Sequence, residues 1–395
     1  MSWYLFNLPR IAFLRFQKLI FQVIQVFVKP TKNQLLFFAS EPVWGDNLKD
    51  FYNYCNATKT LNTPILVKDK NLFYQLRSEG FENIFYANTL KAFSTFFRSE
   101  GVVIYNGSSK LHFFPYTLLP DLKPIFNLWH GIPLKKIGRK VGIHRKKMAK
   151  YLFQEYSLFF VCSPTEAGLI QDCFNVGPEV TKITGSSRND LFYHTQNASQ
   201  FIKELNGKKV FLYAPTWREY GDSSMFFPWE NYNLAELEEF LNKENIALLL
   251  RGHRQEISRS KGDLSLIKSS TNIFLAGNDV FPDANELLAN TDVLITDYSS
   301  IYLDFILLNK PVVFIPYDLE KYSQYRGFLM DYDSNTPGRK VITAEEFIPN
   351  LKSCLDHPEQ HEDERIQIKR KFHQFEDGNS SKRILSEIRN FLKHQ

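Results

Sequence analysis

Four polar stretches stand directly after apolar runs that read as β-strands, and each holds side chains able to do chemistry. The first follows Ile125–Trp129 and contains His130 and Gly131. A histidine with an ordinary pKa of about 6.5 can act as a general base near neutral pH. The glycine beside it would let a substrate approach the backbone. His130 is therefore a candidate base, although a structural histidine explains the residue equally well.

Two more of these stretches carry arginine. Arg218 comes soon after the apolar run Lys209–Ala214, and Arg251 and His253 follow Ile246–Leu250. A guanidinium group presents a planar fork that fits phosphate oxygens, and His253 can donate a hydrogen bond to phosphate. A lone arginine such as Arg218 is more often a solvated surface charge. Arg251 and Arg254 flank His253, and this trio is hard to explain as part of a core, so an anion site is plausible.

The fourth stretch lies where a strand ends at Thr296 and a helix is expected to begin near Ser299 or Ser300, with Asp297 between them. Free backbone N–H groups at the start of a helix attract phosphate, and serine is a good N-cap. Capping and phosphate binding are compatible. These residues are therefore predicted to contact a phosphate group.

Positive charge is concentrated in two segments of a chain whose net charge is only +5. One lies between His130 and Gln154, where there is no acidic residue. It could steer a polyanionic acceptor or lie on anionic lipid, and a solvated helix face is the alternative. No recognised nucleic-acid motif accompanies it, so no nucleic-acid partner is expected. Its candidate binding residues are Lys135, Lys136, Arg139, Lys140, Arg145, Lys146 and Lys147.

The other basic segment is the N-terminus, residues 1–30. Its polar residues Arg15, Lys18, Gln22, Gln25 and Lys29 form one stripe on a helix, with large apolar side chains on the other faces. The basic residues interrupt the run of about 20 apolar residues that a membrane-spanning helix needs. We expect an amphipathic helix in the plane of an anionic membrane, on its cytoplasmic face. The alternative is a helix packed on its own domain.

These stretches must be positioned by alternating strands and helices, which indicate parallel sheets built from βαβ units. The pattern runs to about residue 174, is interrupted near 190–207 and then restarts. The predicted divisions are an amphipathic helix at 1–30, a Rossmann-like acceptor domain at 31–195 and a Rossmann-like donor domain at 205–395. The four cysteines include no CxxC pair, so they indicate a reducing compartment rather than disulfides or zinc.

The motifs together resemble those of the CDP-glycerol glycerophosphotransferase family, which includes teichoic-acid glycerol-phosphate primases and polymerases. The resemblance is carried, in family order, by NLWHGIPLKKIG (127–138), GSSRND (185–190), YAPTWR (213–218), LLRGH (249–253), ITDYSSIYLDF (295–305) and YRGFLMDYDSNTPG (325–338). The sequence departs from the family pattern at Ser187, where proline is common, and at Arg339. Residues 1–120 match only vaguely.

The resemblance implies an α/β fold of the GT-B-like kind, with two Rossmann-type domains facing a cleft. It implies His130 as the base that deprotonates the acceptor hydroxyl and His253 as a histidine near the donor phosphates. Arg326 and Asp331 are implied as donor-site residues, whereas Asn189 and Asp190 belong to a motif whose role stays open. It leaves a role for a divalent cation such as Mg²⁺ open, since no ligand cluster of clear geometry is visible.

The predicted function is transfer of glycerol phosphate, or a related polyol phosphate, from a CDP-linked donor with release of CMP. The acceptor would be a hydroxyl of a lipid-linked or polyanionic glycan, in the synthesis of teichoic acid or a capsule-like polymer. The main alternative is a GT-B glycosyltransferase or epimerase that uses a nucleotide sugar, because fold alone does not decide function. A non-catalytic membrane adaptor is a further alternative, which the presence of His130 and His253 disfavours.

Overall fold

The computed structural model describes residues 2–107, 113, 115–116, 118, 120–141, 155–194, 200–205, 207–216, 218, 226–230, 232–252, 269–277, 281 and 283–395. His253, Arg145, Lys146 and Lys147 lie outside the described residues. The chain divides into two compact units. Unit 1 contains residues 1–130, 137–190 and 379–395, and unit 2 contains residues 131–136 and 191–378.

Helices and strands alternate along the chain. In chain order the helices are α1 (Ser2–Phe27), α2 (Asp46–Ala57), α3 (Lys70–Ser78), α4 (Leu90–Arg98), α5 (Pro164–Phe174), α6 (Gln200–Glu204), α7 (Leu234–Lys243), α8 (Ala284–Ala289), α9 (Ile301–Phe305), α10 (Leu319–Tyr325), α11 (Ala344–Asp356), α12 (Glu362–Phe372) and α13 (Ser380–Lys393). The strands are β1 (Leu35–Ala39), β2 (Ile65–Val67), β3 (Ile84–Tyr86), β4 (Gly101–Ile104), β5 (Ile125–Asn127), β6 (Leu158–Val161), β7 (Thr181–Ile183), β8 (Lys209–Tyr213), β9 (Ile246–Leu250), β10 (Ile273–Leu275), β11 (Val293–Thr296), β12 (Val312–Phe314) and β13 (Arg339–Lys340).

Each unit is built on one parallel sheet. The sheet of unit 1 has the order β3-β2-β1-β4-β5-β6-β7, and that of unit 2 has the order β10-β9-β8-β11-β12-β13. All of the strand pairs are parallel. Most strands are apolar along their whole length because parallel sheets are buried on both faces. The prediction of two α/β domains with parallel sheets is therefore confirmed.

The strand order reverses once in each sheet, between β1 and β4 in unit 1 and between β8 and β11 in unit 2. Ligands of open α/β sheets bind beyond the carboxyl ends of the strands at such a reversal. In unit 1 the loops after β1 and β4 meet there, where Ser40 Oγ donates to Asn106 Oδ1 at 3.0 Å. The polar stretches of the sequence therefore lie at the edge of each sheet where ligands are expected.

The C-terminal helix α13 belongs to unit 1, so the predicted donor domain at 205–395 is too long. Ile384, Leu385 and Ile388 on this helix are buried in the core of unit 1. The Asp190 carboxylate accepts hydrogen bonds from the backbone N–H groups of Ser380 and Ser381, both at 2.8 Å. Asp190 therefore caps α13, which is a structural role for one residue of the GSSRND stretch. Unit 2 also takes residues 131–136 from the predicted acceptor domain.

Helix α1 is docked on unit 1 and leaves an apolar surface exposed. Phe21 is buried against Phe93, Phe96 and Phe97, and Lys18 forms an ion pair with Asp121. Exposed large side chains on the helix are Phe13, Phe16, Leu19, Ile20, Val23, Val26 and Phe27. Among the described residues, a helix with the length and apolarity needed to span a bilayer is absent.

Candidate active site

His130 stands at the end of a strained loop that follows β5. Trp129 has the left-handed backbone angle φ 55° and Gly131 has φ 132°. A bulky residue in this region costs free energy and is retained only where the surroundings hold it in place. The Trp129 ring centroid lies 4.1 Å from that of His130. The buried Trp129 thereby supports an imidazole that is itself accessible to solvent.

Asn47, at the start of α2, holds this loop in place. Its side-chain amide N–H groups donate to the backbone carbonyls of Leu128 at 3.2 Å and Trp129 at 2.9 Å. Its Oδ1 accepts from Ser186 Oγ at 2.7 Å, from Ser187 Oγ at 3.0 Å and from a backbone N–H at 3.0 Å. One buried amide therefore joins the loop before His130 to the GSSRND stretch.

Arg188 and Asp46 complete the surroundings of His130. The Arg188 guanidinium donates to the His130 backbone carbonyl at 2.9 Å and to the Asp46 carboxylate at 2.8 Å. The contact that the His130 ring itself makes is longer, with Nδ1 lying 3.4 Å from the Tyr105 carbonyl oxygen. With the proton on Nδ1 facing that carbonyl, Nε2 is the nitrogen left to accept a proton.

The electrostatics of unit 1 favour a neutral His130. Partial desolvation by the surrounding protein lowers the pKa of His130 below its ordinary value, and the Asp46 carboxylate opposes this shift. A lowered pKa means that the imidazole is unprotonated at pH 7. That is the form a general base must have before the reaction.

In unit 2, Arg218, a predicted phosphate ligand, is buried and paired with carboxylates of its own unit. It is 4% exposed, and its guanidinium donates to Asp297 Oδ2 at 2.7 Å and to both Asp318 oxygens at 2.9 and 3.0 Å. The rings of Tyr298 and Tyr322 lie 4.8 and 5.2 Å away. Burial alone would lower the pKa of Arg218, but the two carboxylates outweigh it and keep the group charged.

Thr296 and Asp297, also predicted to contact phosphate, have side chains that are turned inward, and that contact stays a prediction. Thr296 Oγ1 donates to the Ala214 carbonyl at 2.7 Å, and Asp297 accepts from the Thr216 N–H at 2.7 Å. Both side chains are buried. Together with Arg218 they tie the loop after β8 to the loop after β11, so they shape the place where a ligand is expected.

The residues after β11 and β9 were predicted to bind phosphate, and this role stays a prediction. Helix α9 begins at Ile301, close to the predicted start, and Ser299 and Ser300 before it are partly exposed. Arg251 donates to the carbonyls of Ala276 and Phe281 at 3.2 and 2.9 Å. Burial lowers the pKa of Arg251 to about 10, with Asp283 opposing, so the group stays charged at neutral pH.

A cavity of about 470 Å³ in unit 2 is lined by Asp331 and, from the segment 131–136, by Lys136. The Lys136 N–H donates to the Gly327 carbonyl at 3.1 Å, and Lys135 bridges to Phe328 in antiparallel fashion. Gly327 has φ 70°, and a Cβ there would meet the Lys136 side chain at 2.9 Å. Lys136 therefore lies directly over the RGF stretch and lines the same cavity as Asp331.

The exposed Asp331 accepts from the Ser334 N–H at 2.9 Å, and hydrogen bonding to Ser334 lowers the pKa of Asp331. Arg326, just outside the cavity lining, ends α10 by donating its N–H to the Tyr322 carbonyl at 2.9 Å.

The predicted basic patch is divided between the units, because Arg139 and Lys140 belong to unit 1. There Lys140 pairs with Asp172 at 2.5 Å.

Sequence reasoning missed Asp46, Asn47 and Arg188 in unit 1, and Asp318 in unit 2. Asp46 and Asn47 do follow β1, so the rule that drew attention to other strand ends also covers them. Arg188 lies within the GSSRND stretch that carries part of the family resemblance, whereas Asp318 had no comparable signal. Within the part of the chain that the structure describes, no group of three or more His, Cys, Asp and Glu residues is arranged to hold a metal ion.

Comparison with known proteins agrees with this arrangement of motifs. The chain is 30% identical over 280 residues to the teichoic acid glycerol-phosphate transferase of Staphylococcus aureus, covering 66% of this chain and 69% of that protein. It is also 30% identical over 275 residues to the teichoic acid glycerol-phosphate primase of Bacillus subtilis, covering 67% and 68%. It spans only about half the length of two ribitol-phosphate polymerases of S. aureus, with coverage of 47% and 52%.

Solved structures show the fold. The wall teichoic acid polymerase TagF, in a histidine variant soaked with CDPG, superposes with a TM-score of 0.75 at 20% identity, over 93% of this chain and 90% of that one. The UDP-GlcNAc 2-epimerase of Neisseria meningitidis has the same general fold, with a TM-score of 0.54 at 13% identity over 92% of this chain and all of that one.

The family model described as CDP-glycerol:poly(glycerophosphate) glycerophosphotransferase matches residues 20–390, which is nearly the whole chain. That range includes every motif after the N-terminal helix and both parallel sheets. The chain therefore belongs to the CDP-glycerol:poly(glycerophosphate) glycerophosphotransferase family of enzymes.

Proposed function

We propose that this chain transfers glycerol phosphate from CDP-glycerol to a hydroxyl group of a lipid-linked or polyanionic glycan in teichoic acid synthesis, and releases CMP. The observation that carries the proposal is His130, an accessible and neutral histidine on a braced loop, in a chain of the glycerophosphotransferase family. A related polyol phosphate such as ribitol phosphate is the alternative transferred group, since ribitol-phosphate polymerases are also relatives.

In the proposed step an acceptor oxygen attacks the phosphorus of the donor that carries the glycerol. A new bond forms between them, the bond from that phosphorus to the oxygen bridging to CMP breaks, and CMP leaves with the electron pair. The acceptor proton moves to Nε2 of His130. General base catalysis of this kind contributes about 10²- to 10⁴-fold in rate.

Charge that develops on the phosphate oxygens needs nearby donors. We assign this role to Arg251, His253, Ser299, Ser300 and Arg326, with Asp331 as a further donor-site residue. Arg218 acts differently under this proposal. Its pairs with Asp297 and Asp318 hold the loops of unit 2 in place, so it positions the donor site without contacting phosphate.

The test is CMP release by the purified protein with CDP-glycerol, run beside CDP-ribitol and UDP-GlcNAc and with a membrane extract as acceptor. CMP from a CDP-polyol, lost in His130→Ala, supports the proposal and identifies the donor. Turnover of the nucleotide sugar alone would instead place the chain with the sugar-nucleotide enzymes of similar fold. An arm with EDTA, then with Mg²⁺ added back, decides whether a divalent cation is required.

We further propose that α1 attaches unit 1 to the cytoplasmic face of an anionic membrane, lying in its plane. Val26 and Phe27 are 76% and 82% exposed. The basic residues Lys29 and Lys32, also exposed, follow directly in the chain. An apolar face flanked by lysine is the pattern of an interfacial helix. The docking of Phe21 and Lys18 means that the helix is packed on its own unit as well.

Sedimentation with vesicles containing phosphatidylglycerol tests this attachment. The double variant Val26→Ser/Phe27→Ser is expected to remain in the supernatant. The matched control is Leu275→Ser/Ile342→Ser, which removes two exposed apolar side chains from unit 2. Equal sedimentation of both variants and the parent protein would contradict the proposal.

A further inference from the structure

Unit 1 contains a cavity of about 600 Å³ beside the edge strand β3 of its sheet. Its walls come from α3, β3 and the beginning of α4, and it is separate from the residues around His130. Its size lies within the usual range for sites that bind small molecules. Its lining residues are Lys70, Phe73, Tyr74, Arg77, Glu82, Ile84, Phe85, Tyr86, Thr89 and Lys91.

Aromatic rings form much of this cavity. Tyr74 is 59% exposed, although a side chain of this size is ordinarily covered. Its ring packs edge-on against Phe73 at 5.4 Å, and Phe73 in turn contacts Tyr86 at 6.1 Å. These contacts bring the three rings together, so they offer flat apolar surfaces to a ligand.

The cavity also carries an excess of positive charge. Lys70, Arg77 and Lys91 face one acidic residue, Glu82. Arg77 is held at the rim by a hydrogen bond to the Glu82 carbonyl at 3.1 Å, and Lys70 Nζ lies 6.0 Å from the Tyr74 ring centroid. Lys70 and Lys91 form no ion pair with the part of the chain that the structure describes. The cavity is therefore prepared for an anion.

Clustered aromatic rings beside lysines that have no ion-pair partner among the described residues suit a ligand that has both a carbon framework and phosphate groups. A peptide strand added to the sheet edge fits less well, because β3 has only three residues with which to pair. A nucleotide base would also stack on the rings. However, the several cations spread around the rim match a chain of phosphates better than a single one.

The position of the cavity links it to α1. Helix α4 begins at the cavity wall with Leu90 and Lys91, and it packs against α1 through Phe93 and Phe97. Leu90 and Tyr74 are both exposed beside the opening. An acceptor glycan that is anchored in the membrane by a lipid would therefore meet this cavity close to the helix that is proposed to lie on that membrane.

We propose that this cavity binds a phosphate-bearing polyol or sugar segment of the acceptor, away from the hydroxyl that reacts. The proposal rests on the proposed function for the identity of the ligand. Under this proposal Lys70, Arg77 and Lys91 bind the phosphates, and the Tyr74 ring packs against the carbon framework. Such a site would retain a growing or lipid-linked acceptor between transfers.

Direct binding tests the proposal without relying on turnover, so a failure of the transferase assay would not decide it. The probe is a fluorescently labelled hexamer of glycerol phosphate, titrated with the full-length protein at low and at physiological salt. Maltohexaose serves as the neutral ligand, and vesicles with phosphatidylglycerol serve as the lipid source of the same chemistry. The variants are Lys70→Ala/Lys91→Ala and Tyr74→Ala, each checked for an unchanged melting temperature.

The expected result is salt-sensitive binding of the hexamer that weakens about 10-fold or more in the double variant, since two charge-assisted contacts are lost. Tyr74→Ala should weaken it less. The control Lys382→Ala/Lys393→Ala removes two exposed lysines from α13 of the same unit and should keep the affinity of the parent. Equal affinity of the two double variants for the hexamer would overturn the proposal, and so would binding of maltohexaose as strong as that of the hexamer. The proposal would also fail if Lys70→Ala/Lys91→Ala lost binding to vesicles but kept binding to the hexamer.

Discussion

The loop of unit 1 that carries His130 and the loops of unit 2 that carry Arg218 occupy comparable places, at the carboxyl ends of parallel strands. In unit 1 the ring of His130, the proposed base, stays accessible, and its buried neighbours Asn47 and Trp129 hold the loop in place. In unit 2 the guanidinium of Arg218 is buried and paired with Asp297 and Asp318. The same place in the fold therefore presents an accessible side chain in one unit and a buried ion-pair network in the other.

The difference has a simple physical origin. A neutral imidazole can remain at the surface of a crowded region at small cost, because it carries no charge to desolvate. A guanidinium that is buried beside two carboxylates must stay paired with them, because an unpaired buried charge costs several kcal/mol of folding free energy. An arginine after a strand is consequently a weaker indicator of ligand contact than a histidine there. Arg251, with its carbonyl partners, is intermediate.

The largest effect is expected for His130→Ala. Loss of the base should reduce CMP release from CDP-glycerol by about 10²- to 10⁴-fold with little change in melting temperature. His357→Ala, which removes an exposed histidine from unit 2, is the control. Near-normal turnover in His130→Ala would remove the distinction between a reactive loop and a braced one.

Arg218→Met should act mainly on stability. It leaves the buried carboxylates of Asp297 and Asp318 unpaired, and breaking a buried ion pair on one side costs about 3–5 kcal/mol in the free energy of unfolding. Chemical denaturation measures this, with Arg370→Met as the exposed control. A change below about 1 kcal/mol would show that the network contributes little and that Arg218 serves a ligand after all.

Asn47→Ala sharpens the comparison from the side of unit 1. It removes the amide that joins the loop before His130 to Ser186 and Ser187, so buried partners are left unsatisfied at a cost of about 1–3 kcal/mol. Because the loop positions the base, kcat should fall more than the affinity for CDP-glycerol. Asn53→Ala, on the exposed face of the same helix, should change neither quantity. Equal effects of the two variants on kcat would contradict a positioning role.

The smallest expected effect is a shift in pH dependence. The base works unprotonated, so activity falls as pH drops through the pKa of His130, which lies below about 6.5. Asp46 raises that pKa, so Asp46→Asn should move the acid limb of the kcat/KM profile to still lower pH. A shift toward higher pH would mean that another group controls the acid limb.

Much of the fold was readable from local sequence. Strand β9 has the bounds of its apolar run, and strand β11 ends at Thr296 as expected. These elements are visible because a buried parallel strand must be apolar along its length. The short strands β7 and β13 were missed since their sequences, TKI and RK, lack that property.

The sequence by itself determined the two α/β halves, the family motifs, the amphipathic first helix and the candidacy of His130. Only the tertiary structure decided how those residues are used. Ser187 and Asn47 are 140 positions apart in the chain, and Arg218 and Asp318 are 100 apart. The motif residue Asp190 likewise caps α13 across 190 positions. Strand and helix signals are local, whereas these partners meet only after the sheets have formed, so the role of each polar side chain follows from the fold.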